Sequence, residues 1–452
     1  MKKTLLIILL ISLSVLGNSE TISLEQAKSL ALQNNPEFLA KKFAYESAKW
    51  SSVKAFSALF PSAKISASEL QLKPGTPKLS PNGMPVFSDE TNTRSYGYSV
   101  NQPLFYGGKL WFAYKISADA KKIAEFDYRY QKLKTFAAVE EKYLNLLEAE
   151  ELLQIARQQL RSASENLKIA EVKFQIGSIS KTELLKFQAE KAAKESELIR
   201  AKRMRQLSFS DLKNFLQLSN SFEIEKISEN LYADFIKIAD ELSQSKIDEI
   251  LGKVVEYGEQ NNLSLKSLEQ AKKMSARSVR IASGNFLPTL NLTYSRTWSK
   301  NWNENQTAQD ADYEDSKQIM LSASVPVFPF FDNFAALKKA KYDLKKTEKD
   351  FITAKSGIDT ALENGFLNLI NSAKDFKASE LSLRYSEELF RQLQEKFQQG
   401  LISANELLDA NLMLKSASVN KTKSFYNFIK AKTELMQLLG FEEEENLLNL
   451  MK

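Results

Sequence analysis

Two twelve-residue stretches of this chain agree at eight positions: FQIGSISKTELL, from Phe174 to Leu185, and FQQGLISANELL, from Phe397 to Leu408. In each, a glycine is followed three residues on by a serine and three further on by a glutamate: Gly177, Ser180 and Glu183, then Gly400, Ser403 and Glu406. Glycine accepts the left-handed backbone that ends a helix. A serine hydroxyl then accepts from an orphan amide in the first turn of the next helix, and a glutamate three residues on reaches back to the serine amide. The chemistry encoded here is hydrogen bonding at a chain reversal: a helix stop, a short turn and a helix start.

The chain has 452 residues and neither cysteine nor histidine. That removes thiol nucleophiles, disulfides, thiolate and imidazole metal sites, and every triad built on a histidine base. No Walker loop or GxGxxG is present, and no pair of carboxylates stands out from the helical charge pattern, so neither an enzyme nor a cofactor is expected. Net charge is +6. The basic and acidic residues are interleaved along the chain, so no basic stripe points to nucleic acid.

Lys2 and Lys3 precede the apolar run TLLIILLISLSVLG, Thr4 to Gly17, which is followed by small and polar residues. This pattern predicts a signal peptide over 1–19, cleaved after Gly17 or Ser19. No cysteine follows to carry a lipid anchor. No other run approaches the roughly 20 apolar residues of a spanning helix, so an exported chain that crosses a membrane must do so as a β-barrel.

The repeated stretch belongs to a longer duplication. Pro103 and Pro326, Phe105 and Phe328, Gly177 and Gly400, and Leu212 and Leu435 all keep one offset of 223 residues, that between Phe174 and Phe397. The halves are read as 20–218 and 246–440, with a linker over 219–245 and a C-terminal tail over 441–452. Each half opens with a helical stretch, Ser23 to Phe60 or Lys246 to Phe286, stopped by Pro61 or Pro288. Period-two segments follow and predict strands at about 62–72 and 95–105, then at about 289–298 and 317–328. Polar loops lie between them, over 73–94 and 299–316.

From Lys109 to Ile176 no glycine or proline occurs, and apolar residues recur at threes and fours: Ile116, Ala120, Ile123, Leu133, Ala137, Leu144, Leu147, Ala156, Leu160, Ala163, Leu167, Ala170 and Phe174. This is the seam of a long coiled-coil helix, and Asn333 to Gln399 is its counterpart. Gly177 and Gly400 end these helices, and returning helices run to Leu218 and Leu439. Where the first half has LFYGGKL the second has VFPFFDN, so Pro329 is expected to supply the bend that a glycine pair supplies in the first.

Four strands cannot close a membrane barrel, for which about eight is the smallest usual number. Strands and helices pooled by a ring of identical chains would close both a barrel and a hollow helical cylinder. At this point the chain resembles the TolC-type outer-membrane efflux proteins. The matching features are ISLEQAKSLALQNNPEFLA near the start, NQPLFYGGKL before the first long helix, FQQGLISANELLDANLML at the second tip, and LLG at the end of the last. The resemblance implies a mainly α fold with a small membrane β part. It implies a homotrimer with a twelve-stranded barrel in outer-membrane lipid and an α-helical barrel in the periplasm. Such proteins are passive exit ducts for efflux or type I secretion, docked by a periplasmic adaptor and driven by an inner-membrane transporter.

By the same resemblance, Phe174, Gly177, Ser178, Ile179 and Ser180, with Phe397, Gly400, Leu401, Ile402 and Ser403, form the adaptor-docking tips. Acidic residues six and nine positions after each tip glycine line a pore constriction. Those positions are Glu406 and Asp409 in the second half and Glu183 and Lys186 in the first, so a lysine stands where an acidic or polar residue is expected. Glu183 and Glu406 have a second reading as capping acids alone. A different class also fits the helices, an exported coiled-coil scaffold or periplasmic adaptor without a channel, but two hairpins in matched halves argue against it.

Overall fold

The computed structural model describes residues 21–72, 78–79, 81–82, 84–86, 91–303, 306–309, 311–327 and 330–451. The expected signal peptide, Phe328 and Pro329 lie outside them. In chain order the elements begin with β1 (Thr21–Ile22), α1 (Leu24–Asn34), α2 (Pro36–Ser57), β2 (Ser62–Leu72), β3 (Lys78–Leu79), β4 (Pro85–Val86) and β5 (Thr91–Tyr106). The first long helix, α3 (Lys109–Gln175), and its return, α4 (Lys181–Phe215), follow. Then come β6 (Glu223–Ile224), a 3-10 turn (Glu229–Tyr232), α5 (Ala233–Glu241), α6 (Gln244–Asn261) and α7 (Leu263–Gly284). The chain closes with β7 (Thr289–Asn303), β8 (Glu314–Ser324), α8 (Phe330–Gln399), α9 (Ala404–Leu439) and α10 (Glu444–Met451).

The opening helical stretch of each half is two helices rather than one. At Asn35 the backbone turns extended (φ −70°, ψ 121°), and the Asn35 carboxamide accepts from the Phe38 amide at 3.1 Å. Pro36 then starts α2, where its missing N–H costs nothing. Asn262 makes the same break (φ −57°, ψ 123°) and donates its side-chain amide to the Leu438 carbonyl at 2.9 Å, at the end of α9. Likewise Asn34 donates to the Leu216 carbonyl at the end of α4, at 3.3 Å. Asparagine competes with the helix for backbone groups, and here it also closes the C-terminus of a returning helix.

The described chain divides into two compact units. One comprises 21–40, 130–262 and 358–451. Its main core draws Val139, Tyr143, Leu144, Leu146 and Leu147 of α3 together with Leu362, Phe366, Leu369 and Ile370 of α8 and Phe425, Phe428, Ile429 and Leu435 of α9. Over this stretch α3 is buried well beyond one seam, because the short elements wrap it. Phe222, Tyr232, Phe235 and Ala239, all from the stretch read as a linker, are buried in this core, as are Leu447 and Met451 of the tail. The buried Tyr143 hydroxyl lies 2.9 Å from the Ile22 carbonyl and 2.7 Å from that of Glu225, where β1 and β6 pair in parallel. Burial pushes its pKa up, so it remains a neutral donor there.

A charge cluster is folded into the same unit. Glu140 on α3 lies 3.3 Å from Lys28 of α1 and 3.7 Å from the fully buried Lys432 of α9, and it accepts from the Thr433 hydroxyl at 2.8 Å. Lys432 also pairs with Glu444 of α10 and sits over the Tyr232 ring. Two cations thus share one buried carboxylate, with Glu25 and Glu444 completing the balance from the rim.

The second unit comprises 41–129 and 263–357. It holds the short antiparallel pair β3–β4 and a four-stranded antiparallel sheet in the order β2-β5-β7-β8, so strands of the two halves meet at the β5–β7 seam. Gly107 (φ +60°) and Gly284 pack against one another just outside the sheet. A Cβ on Gly107 would lie 2.3 Å from the Gly284 carbonyl oxygen, and one on Gly284 would lie 2.4 Å from that of Gly107. The glycine of LFYGGKL therefore serves a close backbone approach as well as a bend.

Candidate functional site

Both tips close by the same backbone device. Gly177 (φ +75°) and Gly400 (φ +81°) are left-handed. The Ser178 amide donates to Lys173 O at 2.8 Å, and that of Leu401 to Lys396 O at 2.9 Å. A Cβ on Gly177 would meet nothing within 4 Å, so backbone conformation alone selects glycine there. Ser180 then caps α4 with a full reciprocal box: the Glu183 amide donates to its Oγ at 3.2 Å, and the Ser180 amide donates to Glu183 Oε2 at 2.9 Å. That backbone hydrogen bond, then the one from the Ser180 hydroxyl, holds the Glu183 carboxyl below the usual range, with Lys186 adding to the effect. At Ser403 the hydroxyl accepts from the Glu406 amide at 3.4 Å and donates to Glu406 Oε1 at 3.0 Å.

The two tips pack on each other around a small apolar cluster of Ala170, Phe187, Phe390, Phe397, Ala404, Leu407 and Ala410. Lys186 donates to Asn405 Oδ1 at 2.7 Å, which ties the start of α4 to the start of α9. Further along, the buried Lys194 sits 3.0 Å from Glu190, and Lys415 of α9 donates to Glu197 of α4 at 2.6 Å. Burial alone would raise the Glu197 pKa. The hydrogen bond from Lys415 and the charge of Lys194 outweigh it and hold the group low.

Glu406 and Asp409 are exposed, as are Lys186, Gly177, Ser178, Ser180, Gly400, Leu401 and Ser403. Glu183, Ile179 and Ile402 are half-buried. The two tip phenylalanines part company: Phe174 is 39% exposed, whereas Phe397 is 2% exposed beneath Lys173. Phe187 carries much of this packing and was not picked out from sequence. Its signal is the pairing of a phenylalanine at 187 with an alanine, Ala410, at the matching place in the other copy.

The sheet has two unlike faces. Along one lie Ala63, Ile65 and Ala67, then Tyr96, Tyr98 and Val100, then Leu290, Leu292, Tyr294 and Trp298, then Ile319, Leu321 and Ala323, aligned by the strand register. Ser66, Ser68, Ser95, Ser99, Thr293, Ser295, Thr297 and Ser322 occupy the other, with Leu70, Leu72 and Met320 among them. Tyr96 stacks on Trp298 at 5.4 Å between ring centroids, and Tyr98 tilts against Tyr294 at 6.0 Å. Among the described residues the outer edges of β2 and β8 are unpaired, and both strands are exposed along their whole length. No described helix is long and apolar enough to cross a membrane.

The model of the family described as "outer membrane efflux protein" matches residues 27–216 and 256–441. The chain belongs to this family. It is therefore an outer-membrane exit duct of an efflux or secretion system. The chain is 23% identical over 430 residues to the alkaline protease secretion protein AprF of Pseudomonas aeruginosa, covering 92% of this chain and 84% of that protein. It is 22% identical over 460 residues to the outer membrane protein TolC of Escherichia coli, covering 100% and 89%. Among solved structures, the CmeC outer membrane channel of Campylobacter jejuni superposes with a TM-score of 0.76 at 18% identity, over 95% of this chain and 89% of that one. The open state of the Neisseria gonorrhoeae MtrE channel superposes with a TM-score of 0.71 at 16% identity, over 92% and 89%. At these identities the structures speak for a common fold.

Proposed function

We propose that three copies of this chain form one duct: a twelve-stranded barrel in the outer membrane and a helical tube in the periplasm. The observation that carries this reading is the four-stranded sheet, its apolar side chains gathered on one face, with both edges open among the described residues. A strand of about 9–11 residues spans a bilayer, and β2 and β8 each have 11. An open edge is a liability unless another strand covers it. Joining β8 of one copy to β2 of the next covers both edges and puts the apolar face on lipid. The helices leading into and out of those edges carry exposed apolar side chains, Phe43, Trp50 and Val53 on α2 and Phe331, Phe334 and Tyr342 on α8. Contact between copies would bury these as well.

In this assembly the tips are the periplasmic mouth. Glu183, Lys186, Glu406 and Asp409 line its constriction, three acids against one base in each copy. The six carboxylates of Glu406 and Asp409 favour cations. Exposed Ile176 and Leu401, at 71% and 67%, with Phe174 beside them, form an apolar docking surface for a periplasmic adaptor. An inner-membrane transporter supplies the cargo and the energy. Single-particle imaging of the detergent-extracted protein tests the assembly. A trimer with a belt-bound barrel and a long tube is expected. A beltless monomer or thin rod would overturn the reading in favour of an exported scaffold.

A further inference from the structure

The apolar face of the sheet ends, toward the loops, in a charge arrangement that the sheet does not explain by itself. Arg94 of β5 lies directly across from Lys300 of β7, and Arg296 of β7 directly across from Lys317 of β8. Like charges opposed on neighbouring strands destabilise a sheet. Two acids on the same face offset part of this: Glu69 is 3.0 Å from Arg94, and Asp315 is 2.8 Å from Arg296 and 3.8 Å from Lys317. Lys300 instead donates to the Ala308 carbonyl and sits over the Tyr313 ring, with no carboxylate partner among the described residues. Among the described residues, four cations face two carboxylates. Around them stand Tyr96, Trp298, Trp302 and Tyr313, with the Arg94 guanidinium 5.6 Å from the Trp302 ring centroid and that of Arg296 4.6 Å from the Trp298 ring centroid.

We propose that this patch binds the phosphate of an outer-leaflet lipid, with Arg94, Arg296, Lys300 and Lys317 as its ligands. The inference rests on the reading above that the apolar face meets lipid. Charge complementarity picks the occupant: an excess of two cations among the described residues of the patch, interleaved with aromatic rings at the loop end of the apolar face, matches an anionic headgroup whose acyl chains continue along Leu292, Ile319 and Leu321. A free phosphate would satisfy the cations but not the adjoining apolar and aromatic surface.

The test is native mass spectrometry of the full-length protein extracted from outer membranes, with bisphosphorylated lipid A, its dephosphorylated form and inorganic phosphate as added probes. Bisphosphorylated lipid A is expected to stay bound, and an R94Q/K300Q/K317Q variant to retain it about tenfold less. K64Q, the same charge loss on the opposite face, should retain it fully. Equal retention of the dephosphorylated lipid, or full retention by the triple variant, would overturn the proposal. So would displacement by inorganic phosphate alone, which would make the patch a free-anion site. Fractionating membranes separates the two levels of inference. Absence from the outer membrane would defeat the duct itself, whereas phosphate-independent binding in an outer-membrane trimer would defeat only the headgroup site.

Discussion

Phe187, on the helix that leaves the first tip, packs its ring 5.5 Å from that of Phe397, on the helix that enters the second. This contact fixes the two chain reversals to each other, and Ala410, at the matching place in the second copy, belongs to the same cluster. Phe187→Ala should cost about 3–5 kcal/mol of local stability, the usual range for emptying a buried aromatic site. Hydrogen exchange should speed up in peptides spanning 166–190 and 390–412 and stay unchanged around Tyr143. Uniform acceleration through both regions would argue against a separate tip cluster.

Ser180→Ala and Ser403→Ala should each loosen the first turn of the returning helix by about 1 kcal/mol. The first should also remove a pH dependence. Glu183 is held below its ordinary value in the folded chain, so its contribution is present above the unfolded carboxyl pKa and lost as pH falls through the folded one. Protection of the 178–184 backbone, corrected for intrinsic exchange, should therefore weaken on acidification in the native chain. It should be weaker but flatter with pH in Glu183→Gln.

Because Lys28 and Lys432 share Glu140, the two ends of that pairing are not equivalent. Glu140→Gln removes the buried carboxylate and leaves Lys28 with Glu25 and Lys432 with Glu444 only, so it should destabilise the unit by about 3 kcal/mol. Lys432→Met leaves Glu140 with Lys28 and should cost clearly less. Thermal unfolding of the detergent-extracted protein ranks the two variants, and the opposite order would show that Lys432 depends mainly on Glu444.

Gly284→Ala drives a methyl into the Gly107 carbonyl, where the gap is 2.4 Å. Backbone must shift to admit it, so the folded yield in outer membranes should fall. Gly357→Ala, with nothing within 4 Å of its Cβ, should be tolerated and slightly stabilising at a helical position.

Glu406→Gln with Asp409→Asn should lower the cation preference of the open duct. Reversal potentials across a planar bilayer under a salt gradient measure this directly. Lys186→Gln should shift them the other way, by removing the one base of the proposed constriction, and an unchanged reversal potential in both variants would move that constriction elsewhere.

The tip devices were legible because their causes are local. A left-handed glycine, a capping serine and a glutamate three residues on act within one turn of backbone, so spacing in sequence is spacing in space. Period-two strands and long helices free of glycine and proline were readable for the same reason. What the sequence did not disclose depends on residues far apart in the chain. The breaks at Asn35 and Asn262 serve carbonyls at Leu216 and Leu438. The stretch over 219–245 and the tail become core because α3 and α9 offer apolar surface that no local pattern announces. Phe174 and Phe397 hold the same place in the repeat, yet one is exposed and the other buried. Sequence by itself determined where this chain turns, caps and alternates. Which copy of each repeated side chain is covered was decided only by tertiary packing, since burial depends on what neighbouring elements bring to the same place.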